Sequence, residues 1–317
     1  MIRTGLAAVA VAAVFAAGGA QAQVTPAMKA KIAEIGRVVD PPSTALVYRP
    51  LHGSPPYAGV TVVRDQSYGP DARNILDEFT PASGAAARTV LIHVSGGAGN
   101  KIEPVPQGDA FYDNIMLWAA KNGMVGVNIQ RRAGPAWDAS GTDVGLAIAW
   151  VKKNIARFGG DPARVFVWGH SAGAQAVSVY LSHPNLYGPE GIGVKGAIMM
   201  AGPYNISPVT VDAPGISLRM GPGAPVQTFP AGAPPVAQSV LPGLKALTIP
   251  LFLAEGELEP PQLNALGEAL NKELCAAGKC PKHMVFKDHG HMSEMFAVNT
   301  ADTSTSAPVL EFIRSVK

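Results

Sequence analysis

The chain has 317 residues, of which 47% are hydrophobic, enough to bury one large core of the kind single-domain α/β folds have. Its formal net charge is +2 with no basic cluster, so nothing in the charge pattern points to nucleic acid. Two cysteines, Cys275 and Cys280, are too few to supply the ligands of a metal site, and in an oxidising compartment they are expected to pair.

Arg3, an apolar run over residues 6–17 and the triplet Ala20-Gln21-Ala22 read as a secretory signal spanning residues 1–22. The mature chain, residues 23–317, is then periplasmic or secreted. A membrane anchor is the competing reading, but the run falls short of the roughly 20 residues a span needs. No later segment is long and apolar enough to cross a membrane.

Thr25 is placed to cap a helix with Pro26 in its first turn and Met28, Ile32 and Ile35 on one face, ended by Pro41-Pro42. Strands are predicted over residues 58–64 and 74–79, with a loop over 81–87. Thr89-Val90-Leu91-Ile92-His93-Val94 is apolar and β-branched enough for a fully buried strand, in which His93 is a strand residue. A glycine-rich run, Ser95-Gly96-Gly97-Ala98-Gly99-Asn100, follows directly. A helix over 109–122 and a strand over 124–129 lead into Gln130-Arg131-Arg132-Ala133-Gly134-Pro135. From Asp143 onward, Val144, Ala147, Ile148 and Val151 recur at helical spacing.

Val165-Phe166-Val167-Trp168 then enters Gly169-His170-Ser171-Ala172-Gly173, and a small-residue helix leaves it over residues 172–181. Strand, Gly-x-Ser-x-Gly turn and helix together form the context of a nucleophile elbow, with the serine hydroxyl exposed at a strained tip. The N–H of Ala172, at the helix start, faces the place where a carbonyl oxygen would gain negative charge. His170 is expected to point away from Ser171 and help line the pocket.

The approach to this turn, Trp150-Val151 through Asn154-Ile155 and Phe158-Gly159-Gly160-Asp161-Pro162, resembles the carboxylesterase and esterase/lipase branch of the α/β-hydrolases nearly without gaps from Trp150 to Gly173. The resemblance implies a mostly parallel central sheet with helices on both faces. It also implies that the loop after strand 89–94 completes an oxyanion hole with the backbone N–H groups of Gly97 and Ala98 beside Ala172. Ser95 stands where that family carries a histidine and Ala98 where it carries a third glycine, so the loop's support must differ. Arg132 falls in a turn resembling the family's Tyr-Arg-Leu-Ala-Pro and is read as a structural anchor, with a clamp for a substrate carboxylate as the sharper alternative.

After a strand over 194–200, residues 202–244 are rich in Gly and Pro and read as a lid-like insertion, not a second domain. Ile216, Met220, Val226 and Phe229 either wall a substrate pocket or belong to a surface loop. A strand over 250–254, a helix over 261–276, a strand over 283–287 and a closing helix over 308–316 complete an alternation that implies parallel strands covered on both faces.

A serine needs a base, and the base an orienting acid, in the chain order Ser, acid, His. The resembled family carries its acid in a Gly-x-x-Asp-Pro turn after the strand over 250–254, and Glu259, three residues after Gly256 and before Pro260, fits that place, with Glu257 the rival. That family also carries a loop histidine followed by an apolar residue and a serine after the last strand, which His291 fits, with His289 the alternative. A metal pair of His289 and His291 with Asp288 is a further reading, though one His-x-His spacing does not specify a site. The expectation is ester hydrolysis by Ser171, His291 and Glu259 with no metal or organic cofactor. An amidase or peptidase on the same triad and a catalytically silent binding protein are the alternatives.

Overall fold

The computed structural model describes residues 25–84, 87–106, 108, 110–134, 136–229 and 234–317. The proposed signal segment, residues 1–22, lies outside them. Among the described residues, no helix is long and apolar enough to cross a membrane.

Thr25 caps α1 (Pro26–Ile35) by accepting from the Met28 N–H. Pro41-Pro42 does not end this helix, as the sequence suggested. The chain leaves α1 at Gly36, and the two prolines open a second helix, α2 (Pro41–Tyr48), capped by the Asp40 carboxylate on the Ser43 N–H at 3.0 Å. Proline lacks a donor the first turn does not use, so it starts a helix as readily as it stops one.

The strands β1 (Val60–Ser67), β2 (Ile75–Pro81) and β3 (Arg88–Val94) come next, followed by α3 (Asp113–Lys121), β4 (Val125–Ile129), α4 (Ala139–Asn154) and β5 (Gly160–His170). Helix α3 begins later than expected. The residues before it, Ala110, Phe111 and Tyr112, are drawn into the core, where Phe111 stacks on Phe296 at 3.8 Å. Helix α4 runs into a 3-10 turn that stops at Gly159, whose φ of 76° is the left-handed conformation glycine adopts without cost.

The second half contributes α5 (Ala172–Ser182), β6 (Gly196–Met200), β7 (Ile216–Leu218), β8 (Gln227–Phe229), α6 (Leu241–Ala246), β9 (Leu251–Gly256), α7 (Pro261–Ala276), β10 (Lys282–Phe286), α8 (Ser293–Phe296) and α9 (Ser306–Ser315). Eight strands form one sheet in the order β1-β2-β4-β3-β5-β6-β9-β10, antiparallel where β2 meets β1 and β4 and parallel from β4 onward.

Side-chain alternation divides the core in two. Val90, Ile92, Val94, Val165 and Val167 pack with α4, α5, α6 and α7 on one face. Leu91, Phe166, Trp168, Ile198 and Phe252 pack with α3, α8 and α9 on the other. Both faces are apolar because both are covered, which is why the central strands read as continuous hydrophobic runs. Each fully buried side chain of this size contributes on the order of 1.5–3 kcal/mol.

Within residues 202–244, β7 and β8 pair as a hairpin, and β7 joins the α1–α2 connection through bonds between Val39 and both Ser217 and Arg219. Arg219 pairs with buried Asp40 at 2.6 Å. Met220, Val226 and Phe229 are largely exposed, and Ile216 is half-buried. Cys275 and Cys280 form a disulfide at the end of α7.

Candidate active site

Strand β5 ends in the middle of the sheet, and the chain reverses into α5 within one residue. That residue, Ser171, has φ 55° and ψ −127°. Such a backbone costs a non-glycine residue on the order of 1–3 kcal/mol. It is held by the Ser171 N–H on the Met200 carbonyl and by the first bonds of α5 onto the Ser171 carbonyl, all between 2.9 and 3.1 Å. The reversal also needs bare backbone at Gly173. A Cβ there would sit 2.0 Å from the Val94 carbonyl oxygen and 2.5 Å from that of Ser95. The elbow helix therefore lies directly against the end of β3.

The other side chains arrive from the adjacent strands. Beyond β9, Glu259 donates its N–H to the Gly256 carbonyl, and Leu258 donates to the His289 carbonyl at 2.7 Å. These bonds lay the turn after β9 on the loop after β10. His291 Nε2 is 2.9 Å from Ser171 Oγ, and His291 Nδ1 is 2.7 Å from Glu259 Oε2. Both partners are fully buried, so the contact is shielded from solvent.

The two rivals lie elsewhere. Glu257 accepts from the Asp288 N–H at the surface. His289 is buried against Ser304, Asp302 and Ser293, where it braces the loop that carries His291. The Asp302 carboxyl is held far below the usual carboxylate range, first by its hydrogen bond with His289.

The glycine-rich run turns through a bond from the Gly99 N–H to the Gly96 carbonyl. Gly96 lies against Ser171, since a Cβ on it would come 2.7 Å from the serine Cβ. Gly97 and Ala98 are exposed beside it. Among the described residues, the N–H groups of Gly97, Ala98 and Ala172 have no hydrogen-bond acceptor. Ser95 donates its hydroxyl to the Asn100 carbonyl at 2.6 Å, closing the loop from inside.

The buried guanidinium of Arg131 donates to the carbonyls of Ser95 and Gly97. Burial pulls its pKa down to about 10. Arg73 donates to the Ala98 carbonyl from outside. Arg132, the arginine read as an anchor, forms a bidentate pair with buried Asp143 at 2.7 and 3.0 Å. Arg131 was missed because two adjacent arginines in one turn carry no signal of which points inward.

Two further histidines are buried near the line from Ser171 through His291 to Glu259. His93 is buried in β3 and bonded to Asn128 at 3.0 Å, and burial lowers its pKa to about 4. His170 does not line a pocket as expected. It is buried behind His291, with ring centroids 4.5 Å apart, because the strand alternation that exposes Ser171 turns its neighbour inward. Glu294 is buried beside it, 3.4 Å away. Burial raises the Glu294 carboxyl well above the carboxylate range, with Glu259 and Glu255 adding to the effect, and burial lowers His170 well below the usual histidine value.

Residues 139–218 match the model of the carboxylesterase family. Phenmedipham hydrolase from Pseudarthrobacter oxydans is 29% identical over 195 residues, covering 50% of this chain and 37% of that protein. Esterase LipQ from Mycobacterium tuberculosis is 35% identical over 147 residues, covering 44% of this chain and 34% of that one. The chain thus spans well under half the length of these curated relatives. Among solved structures, esterase B from Lactobacillus rhamnosis superposes with a TM-score of 0.62 at 18% identity, covering 91% of this chain and 94% of that one. Esterase 2 from Thermogutta terrifontis gives 0.59 at 20%, covering 83% and 97%. With this architecture the chain has the α/β-hydrolase fold, and its elbow region, residues 139–218, is similar to the carboxylesterase family.

Proposed function

We propose that the protein is a serine carboxylesterase that works through Ser171, His291 and Glu259. The observation that carries this reading is the unbroken hydrogen-bonded line from Ser171 Oγ through both imidazole nitrogens to a buried carboxylate. His291 takes the hydroxyl proton on Nε2 as Ser171 attacks the ester carbonyl, and returns it to the departing alcohol. Glu259 accepts from Nδ1–H, which keeps Nε2 free to act as the base. Water then attacks the acyl-enzyme by the same route in reverse.

The carbonyl oxygen, negative in each tetrahedral intermediate, takes its donors from the N–H groups of Gly97, Ala98 and Ala172. One such donor is worth ~3 kcal/mol of barrier. The substrate is a small carboxylic ester. The disulfide suits an exported enzyme, in keeping with the apolar leader over residues 1–22 and with relatives such as secreted lipase 5 from Gibberella zeae.

The test is Ser171→Ala on a chromogenic short-chain ester, beside an anilide of the same acyl group. Turnover should fall by at least 1,000-fold, on the order seen when a triad member is lost. Near-wild-type turnover in the variant would remove the mechanism. Faster cleavage of the anilide than of the ester by the wild type would move the activity to amides.

A further inference from the structure

Directly behind the base lies a second polar pair that the ester mechanism does not use. His170 is the last residue of β5, immediately before the nucleophile, and Glu294 is the second residue of α8, three after the base. His170 Nε2 is 2.9 Å from the His291 carbonyl oxygen and 3.4 Å from Glu294 Oε1. The His170 and Glu294 side chains are 1% and 0% exposed. Among the described residues, neither Glu294 oxygen accepts a hydrogen bond, and His170 Nδ1 is without a partner.

A carboxyl group buried this deeply is costly unless it carries its proton or is paired. The groups facing it are Glu259 and Glu255 from β9 and the turn beyond it, His170 from β5, and the Tyr204 hydroxyl from the segment after β6. Two of these are carboxyls and none is a lysine or arginine. The surroundings therefore favour the acid form of Glu294.

On the reading of Ser171, His291 and Glu259 as a catalytic triad, we infer that His170 and Glu294 are positioning residues for the base. The Nε2–H of His170 donates to the main-chain carbonyl of His291 and holds that residue at a fixed distance from the elbow. Glu294 backs the same edge of His170. In its acid form it places no second negative charge behind the imidazole beside Glu259. A second negative charge there would stabilise the protonated imidazole and disable the base. One strand thus supplies both the nucleophile and the brace of its partner.

The experiment compares Glu294→Gln, Glu294→Ala, His170→Gln and His170→Ala on a chromogenic ester, with active sites counted by a fluorophosphonate probe. Displacing the base by about 1 Å lowers kcat on the order of 100-fold. Both alanine variants should show that loss per titrated site with KM within about twofold. Glutamine at 294, neutral and isosteric, should stay within about threefold of wild type. Glutamine at 170, which keeps a donor near Nε2, should recover at least tenfold over alanine.

Alanine variants with wild-type kcat per titrated site would overturn the inference and leave the triad standing. A loss above tenfold in Glu294→Gln at neutral pH would also overturn it, by showing that the carboxyl works as an anion. Should the alanine variants fail to fold, the two glutamine variants decide alone: full activity at 294 with a kcat-only loss at 170 supports the inference, and a KM-only effect at 170 rejects it. Failure of the probe to label Ser171 in the wild-type protein would instead remove the triad itself.

Discussion

Replacing Gly173 by alanine should disable the protein more than any other single-methyl change near the site. The added Cβ meets the Val94 carbonyl oxygen at 2.0 Å and the Ser95 carbonyl oxygen at 2.5 Å, both main-chain atoms with no rotamer to relieve them. Even the closest contact real Cβ atoms make, near 3.0 Å, requires β3 and α5 to part by about 1 Å. Overpacking of this kind costs about 3 kcal/mol. In a domain of this size that corresponds to a Tm drop of at least ~5 °C. The catalytic effect should be larger than the loss of stability suggests. Val94 and Ser95 lead straight into Gly97 and Ala98, so the parting moves the proposed oxyanion donors away from Ser171. A displacement near 1 Å costs on the order of 100-fold in kcat. The measurement is kcat per titrated site on a short-chain ester at a temperature where the variant is fully folded. A variant within threefold of wild type would show that the elbow does not set the geometry of the glycine loop.

Glu259→Gln should keep the fold and lower kcat on the order of 10⁴-fold, because the amide can present its N–H to Nδ1 and leave the imidazole in the wrong tautomer; near-normal kcat would shift the acid to another carboxyl. Arg131→Met should loosen the glycine loop, since the carbonyls of Ser95 and Gly97 lose a buried donor. A cost of about 2 kcal/mol is expected in urea unfolding, together with a lower kcat. Glu78 is fully buried, and burial raises its pKa to about 7 from an ordinary 4.5. The folded chain holds that proton where the unfolded chain has lost it, so this group makes stability fall as pH rises from 4.5 to 7. Glu78→Gln should flatten that slope and stabilise the protein at pH 7 by at most about 3 kcal/mol; unfolding curves at pH 5 and pH 7 check both the sign and the size, and an unchanged slope would refute it.

Much of the site was legible from local chemistry. Gly169 to Gly173 is a short-range signal because the turn itself demands small residues around an exposed serine. The strand at 89–94 and the helix at 261–276 were legible because a doubly covered sheet writes continuous apolar runs, and a helix writes a period of 3.6. The proposed acid and base could be narrowed only to pairs. Glu257 and Glu259 share one turn, as His289 and His291 share one loop, and residues two apart in a loop carry no local sign of which one faces the neighbouring strand. The packing of the turn after β9 on the loop after β10 buries Glu259 and His291 in contact and leaves Glu257 at the surface.

Where the expectations missed, long-range packing was responsible. Pro41-Pro42 reads locally as a helix stop, yet with Asp40 held by Arg219 from 179 residues away it begins a helix. His170 was expected at a pocket wall and is instead enclosed by the loop that follows β10. The sequence by itself determined the central strands, their alternation with helices and the candidate serine, because those depend on dihedral preferences and on the period of the apolar residues. Only the tertiary structure decided which glutamate and which histidine lie in line with Ser171 and which arginine holds the glycine loop. That choice depends on burial and on hydrogen bonds between residues 30 to 120 positions apart, which no local pattern encodes.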